Sequence, residues 1–215
     1  MSNRSTFFLA AASVAVMALG FAGAASAQDT GLYGSVSVGS TSVDADNGYT
    51  LSPSGTVIDV RLGDAFPVSD FSVGVEAGVS YSNAEASNKQ MSCDVANCGY
   101  DEYRYETDKA TWSGSLGLRV SYDLGPVRAS LLGGARVAEL SREVKYDSAG
   151  VFPTYQYDET SMAFGPYWGF GASYKVSDWS VGVDYERSNL VRTRSSGYTD
   201  GFNTETVTFR VVKEF

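Results

Sequence analysis

Asp184 and Glu186, in the stretch VDYERS, are two carboxylates with a single residue between them. A pair of carboxyl groups can do glycosidase chemistry, one as acid and the other as base or nucleophile. If the stretch is extended, that spacing puts both on one face of one strand. Cys93 and Cys98, in MSCDVANCGY, have four residues between them. In an exported chain they read as a disulfide closing a small loop. A metal site would need two further ligands, and the chain has no histidine. Neither a metal nor a cofactor is expected.

The elements that position these residues begin after a leader. Arg4 supplies a positive start, Phe7 to Gly20 is apolar, and Ala25-Ser26-Ala27 has the small-x-small pattern of a signal-peptidase site. Residues 1–27 are therefore expected to be a signal peptide, cleaved before Gln28. Residues 28–215 form one domain, 188 residues long. With 15 basic and 25 acidic residues it carries −10, a balance that disfavours nucleic acid as a partner.

Beyond Gln28 no run approaches the roughly 18 apolar residues of a membrane helix. A bilayer would have to be crossed by strands, which suit the 23 Gly, 14 Tyr and 11 Phe. Period-2 alternation recurs in eight segments, near 31–40, 56–65, 71–82, 111–124, 127–140, 161–176, 179–191 and 205–215. The breaks alternate between short (Asp64 to Asp70, Gly125-Pro126, Ser177-Asp178) and long (41–55, 83–110, 141–160, 192–204). This is the plan of an all-β, closed, eight-stranded antiparallel up-and-down transmembrane β-barrel, with both chain ends at the short-turn rim.

In FSVGVEAGVSYS, Phe71, Val73, Val75, Ala77, Val79 and Tyr81 share one face, while Glu76 shares the other with Ser72, Gly74, Gly78 and Ser80. Glycine costs about 0.5–1 kcal/mol inside a strand, and a face in open water has no need of it. A crowded lumen does, so the small and charged face points inward. Aromatics on the apolar face recur ten residues apart: Phe71 and Tyr81, Trp112 and Tyr122, Phe164 and Tyr174. Ten residues rise ~33 Å, which a tilt of ~40° shortens to ~25 Å, the height of a barrel's apolar band. Phe71, Tyr122, Tyr174, Trp179 and Phe215 are expected at the short-turn rim, and Tyr81, Trp112 and Phe164 at the long-loop rim, as two aromatic girdles.

These features, with the ending TVTFRVVKEF, resemble the small eight-stranded bacterial outer-membrane barrels, the OmpA transmembrane-domain and Opa-like surface-protein family. The resemblance implies an outer-membrane location after export through the periplasm, contact with lipid and lipopolysaccharide, and recognition of Phe215 by the barrel-assembly machinery. Lys213 departs from the terminal pattern, where an apolar residue is usual. Enzymes among outer-membrane barrels depend on a histidine, so no catalytic residue is expected.

The inward charges would be Arg61, Arg119, Arg128, Arg136, Lys175 and Arg210 against Asp59, Glu76, Asp123, Asp184, Glu186 and Glu214, six against six. An eight-stranded barrel is wide enough only for its side chains, so these should form a charge-paired plug. A path gated by Glu76 changing partners, giving a narrow low-conductance pore, is the alternative. Segment 83–110 is acidic and holds Tyr100, Tyr103 and Tyr105 in YDEYRYETDK. Its end from Glu102 to Glu106 alternates, as a strand rising above the membrane would. Tyrosine-rich loops suit recognition of host or matrix proteins, a further alternative role. Acidic loops beside anionic sugars also raise divalent-cation dependence as a subsidiary expectation.

Overall fold

A computed structural model describes residues 31–45, 54–92, 102–147, 155–193 and 199–215. The leader, Cys93, Cys98 and Tyr100 lie outside the described residues. Eight strands follow in order: β1 (Leu32–Ala45), β2 (Ser54–Val68), β3 (Phe71–Ser92), β4 (Glu102–Leu124), β5 (Val127–Asp147), β6 (Tyr155–Val176), β7 (Trp179–Thr193) and β8 (Thr199–Glu214). Each pairs antiparallel with its sequence neighbour, and β1 pairs with β8 to close the ring. The fold is the all-β up-and-down barrel that the alternation and the break lengths imply.

Three two-residue turns tie the short rim. Their first residues have positive φ, 58° at Ser69, 67° at Gly125 and 59° at Ser177. A positive first position is what a type II′ hairpin turn requires, and the fixed negative φ of Pro126 suits the second. The β2–β3 turn is tighter than the sequence suggests, because β2 continues to Val68 through Pro67.

The hydrogen-bonded partners from Tyr33 run through Gly63, Glu76, Gly117, Gly134, Tyr167, Ser188 and Thr204 and return to β1 at Val43. The offset, 43 minus 33, is a stagger of ten residues. A closed eight-stranded sheet with such a stagger tilts its strands by about 40° and leaves an interior filled by side chains.

The outer face is apolar: Leu116, Leu131 and Phe170 are 62%, 66% and 54% exposed. The girdle aromatics lie on this face, with Phe71 opposite Tyr122 and Tyr81 opposite Trp112, each pair with ring centroids 4.9 Å apart.

Two departures from the sequence reading follow from the registers. First, the long segment 83–110 is largely strand. The β3–β4 pairing continues to Ser92 and Glu102, the β4–β5 pairing to Tyr103 and Asp147, and the β5–β6 pairing to Tyr146 and Tyr155. The β2–β3 pairing stops at Val57 and Ser82, and the β6–β7 pairing at Ala163 and Arg192. A four-stranded sheet of β3 to β6 therefore rises beyond the other four strands. Second, β4 carries an irregularity between Ala110 and Ser113. Two residues, Thr111 and Trp112, oppose Glu139 there, so the inward parity of β4 changes and Asp108 points inward.

Candidate functional site

The lumen is the place where charged residues converge, and it is built in layers. Inward side chains of an eight-stranded barrel meet across the axis, so bulky ones require small partners beside them. Glu76 is flanked by Gly63 on β2 and Gly117 on β4, and Arg119 by Gly74 on β3. The Tyr33 ring fills the space beside Gly63, and Tyr167 fills that beside Gly117 and Gly134, which is why a Cβ at those glycines would collide with a ring.

The middle layer is a belt of eight charged side chains, each at most 7% exposed. Glu76 Oε1 accepts hydrogen bonds from Arg119 Nε at 2.6 Å and from the Tyr33 hydroxyl at 2.7 Å. Arg119 reaches onward to Asp184, Nη2 to Oδ2 at 3.0 Å, and to Ser130 Oγ at 2.9 Å. Arg61 donates from Nε to Asp59 at 2.7 Å, forms an ion pair with Glu186, and lies 3.7 Å from Glu76. Arg136 closes the belt on Glu186 Oε2 at 2.5 Å and places its guanidinium 5.0 Å from the Tyr167 ring centroid. Arg210 stands 3.3 Å from Asp184 and 3.6 Å from Glu76. Asp59, Glu76, Asp184 and Glu186 thus balance Arg61, Arg119, Arg136 and Arg210, four against four.

Asp123, Arg128, Lys175 and Glu214, also expected among the inward charges, pair with one another and not with that belt. They form a separate, partly exposed ring at the short-turn rim. Arg128 donates to Asp123 at 2.6 Å and to Glu214 at 2.9 Å, and Lys175 donates to Glu214 at 2.8 Å. Strand ends bring them to the mouth, where water screens them.

The outer layers were not legible from parity alone. Above the belt, Val43, Ala84, Ala138, Leu140, Ala163, Leu190 and Phe202 are 0–4% exposed and pack with Ala110 in one cluster. Every strand but β2 contributes, so an apolar layer crosses the barrel. A second ion cluster lies beyond it: Arg142 donates to Asp108 at 2.9 Å, and Arg192 donates to Asp200 at 3.0 Å with its guanidinium 4.7 Å from the Phe202 ring centroid. Asp108 belongs to this lid and not to a solvent-facing acidic loop, because the β4 irregularity turns it inward. The signal that could have found the lid was Arg192 and Asp200, set among polar residues and read as loop.

The pair Asp184 and Glu186 shares a strand face, and each is committed to arginines. Tyr105 lies half-buried on the rising part of β4, and Tyr103 is in the same strand. Among the described residues no three metal-ligating side chains gather into a cation site.

The model of the outer membrane protein beta-barrel domain family matches residues 9–215, beginning within the expected leader. No curated protein matches the sequence. Among solved structures, the chain is similar to Neisserial surface protein A, at 14% identity over 86% of this chain and 97% of that one, with a TM-score of 0.47. It is similar to a major outer membrane protein from Thermus thermophilus, at 16% identity over 86% and 99%, TM-score 0.45. It is also similar to Ail, the attachment invasion locus protein of Yersinia pestis, at 17% identity over 83% and 97%, TM-score 0.39.

Proposed function

Because the chain belongs to the outer membrane protein β-barrel family and resides in the outer membrane, we propose that it is a non-catalytic, non-conducting anchor that presents a rigid surface outside the cell. The observation that carries this reading is the layered lumen. A neutral belt of eight buried charges lies under an apolar layer drawn from seven strands, and both lie under a second set of ion pairs. An ion moving along the axis would have to leave paired charges and then cross residues that bind no water. Chemistry is disfavoured because the chain has no histidine and because the belt carboxylates are held by arginines.

Planar-bilayer recording tests it. The purified protein should give no stable conductance, whereas steady open channels of defined size would rule the anchor reading out. Replacing Leu140 and Phe202 with serine should not by itself open a path, since the ion belt remains.

A second reading, recognition of a protein outside the cell, rests on the sheet of β3 to β6. The β2–β3 pairing ends at Ser82, so the outer edge of β3 over 84–92 has no strand beside it among the described residues. Unpaired edges offer backbone donors and acceptors to an extended segment. Ala84 pairs with Ala110, so excising 85–109 and inserting a short turn keeps the barrel register. Equal binding of cells displaying the full and shortened chains to host matrix would eliminate this reading. The leader belongs to the same proposal: the exported chain begins at Gln28, which N-terminal sequencing of the membrane-inserted protein decides.

A further inference from the structure

Among the described residues, the barrel interior is open at its short-turn end. Below the charged belt a cavity of about 330 Å³ opens toward that rim. This is roomy beside the roughly 30 Å³ that one water occupies in the liquid. Arg119 and Arg210 line its inner end, Ser121, Ser173 and Ser180 its wall, and the Asp123–Arg128–Glu214 group its mouth. By the usual orientation of outer-membrane barrels, the short-turn mouth faces the periplasm.

Arg61 and Arg136 each keep one unpartnered nitrogen, but both donate hydrogen bonds to belt carboxylates. Arg210, 5% exposed, is the belt arginine that makes no hydrogen bond among the described residues. The acceptor atoms it contacts already serve other donors, while Glu76 Oε2 has no hydrogen-bond partner among the described residues. Glu76 Oε1 already accepts from Tyr33 and Arg119, and both oxygens of Asp184 accept from Arg119, at 3.4 and 3.0 Å. Arg210 is left with ion contacts at 3.3 and 3.6 Å, too long or poorly aligned for hydrogen bonds. Ser121, Ser173 and Ser180 are 5%, 8% and 4% exposed and line the same cavity. Their hydroxyls bond to no protein group among the described residues.

We propose that this vestibule is a binding site for a small tetrahedral oxyanion of the phosphate class, entering from the periplasm and held by Arg210 and the hydroxyls of Ser121, Ser173 and Ser180. The four donors come from β8, β4, β6 and β7, on different parts of the wall. An acceptor with oxygens pointing in several directions satisfies such a set, whereas a planar carboxylate would face only one side. Of the lining charges, Asp70 at the β2–β3 turn is the one without an ion pair among the described residues. The belt is balanced, and at the mouth Asp123 and Glu214 are held by Arg128 and Lys175. Guanidinium donors in a confined, poorly hydrated site bind oxyanions more strongly than they do in open water.

The test is a titration of the full chain, refolded in detergent micelles, with inorganic phosphate at constant ionic strength set by chloride, followed by amide NMR. Saturable shifts centred on Ser121, Ser173, Ser180 and Arg210 are expected. The double variant Ser173→Ala/Ser180→Ala, which removes two wall hydroxyls and no belt charge, should keep the heat-modifiable barrel and bind about tenfold more weakly. Arg210→Lys should weaken binding further, its single ammonium lacking the guanidinium fork. Non-saturating shifts, an equal response to chloride, or unchanged affinity in the serine double variant would each overturn the site and leave a water-filled vestibule. Conductance in bilayers would remove the anchor reading while leaving this result as it stands.

Discussion

Glu76 and Arg119 meet diagonally across β3 and β4: Glu76 opposes Gly117, Arg119 opposes Gly74, and Arg119 Nε lies 2.6 Å from Glu76 Oε1. Each long side chain lies opposite a glycine on the other strand, so the pair can close over the gap between them. Carboxylate, arginine and both glycines therefore act as one unit.

Breaking that unit on one side should be costly. Glu76→Leu leaves the belt with four arginines and three carboxylates, and removing one partner of a buried pair costs about 3–5 kcal/mol. The double variant Glu76→Leu/Arg119→Leu restores the balance and should cost less than the sum of the singles. Urea unfolding in lipid vesicles measures both, and strict additivity would mean the pair is uncoupled.

The glycines are open to a separate check. A Cβ at Gly117 would collide with the Tyr167 hydroxyl and stand 2.6 Å from the carbonyl oxygen of Gly133. Gly117→Ala should destabilise by about 1–3 kcal/mol. Tyr167→Leu in the same chain should recover part of the loss, because only the ring contact is relieved.

At the short turns the expected change is a gain. Ser69 and Ser177 adopt φ of 58° and 59°, where an L side chain costs about 1–2 kcal/mol. Ser69→Gly and Ser177→Gly should each stabilise by about 0.5 kcal/mol after the entropy of the freer unfolded chain is counted. Gly125→Ala should do the reverse. Unfolding midpoints in urea report all three.

Val75 is 47% exposed on the apolar outer face, opposite Leu118. Val75→Lys should cost about 2 kcal/mol of insertion free energy, a value typical of a lysine within the hydrocarbon. Ser80→Thr, where Ser80 Oγ lies 2.6 Å from Ser113 Oγ inside the barrel, should be mild. Folding yields from gel mobility of unheated samples separate the two cases.

Lys213 has a local explanation for its departure from the usual terminal pattern. Its ammonium donates to Asp178 at 3.0 Å and lies 5.3 Å from the Trp179 ring centroid. The hydrogen bond from Lys213, followed by its charge, holds the Asp178 carboxyl below its ordinary value. A carboxylate lowered on folding adds stability above its unfolded pKa, near 3.9, and that contribution is lost as pH falls through the folded value. Lys213→Met should move the Asp178 titration, followed by NMR, up toward the ordinary range, the Ser177 hydrogen bond and the Lys175 charge remaining. An unchanged titration would count against the pair.

The belt residues could be read by parity because their strands keep strict alternation through the bilayer. Asp59, Arg61, Glu76, Arg119, Arg136, Asp184 and Glu186 fall on a face that carries glycine, and Arg210 shares its face with Thr204, Thr206 and Thr208. Asp108 could not, because the irregularity at Thr111 and Trp112 reverses the count, and a shift of one residue moves every later side chain to the other face. Arg142, Arg192 and Asp200 were hidden differently. They lie in polar stretches whose composition reads as loop, although the strands continue through them.

The sequence by itself determined the barrel, its eight strands and the direction of its faces, since each follows from a period of two. Only the tertiary structure decided which charges meet. Pairing across the lumen depends on the ten-residue stagger and on which glycines lie opposite which arginines, and these are properties of the closed ring that no single strand carries. The same closure divides the inward charges into a rim, a belt and a lid, places an apolar layer between belt and lid, and leaves Arg210 facing an open vestibule.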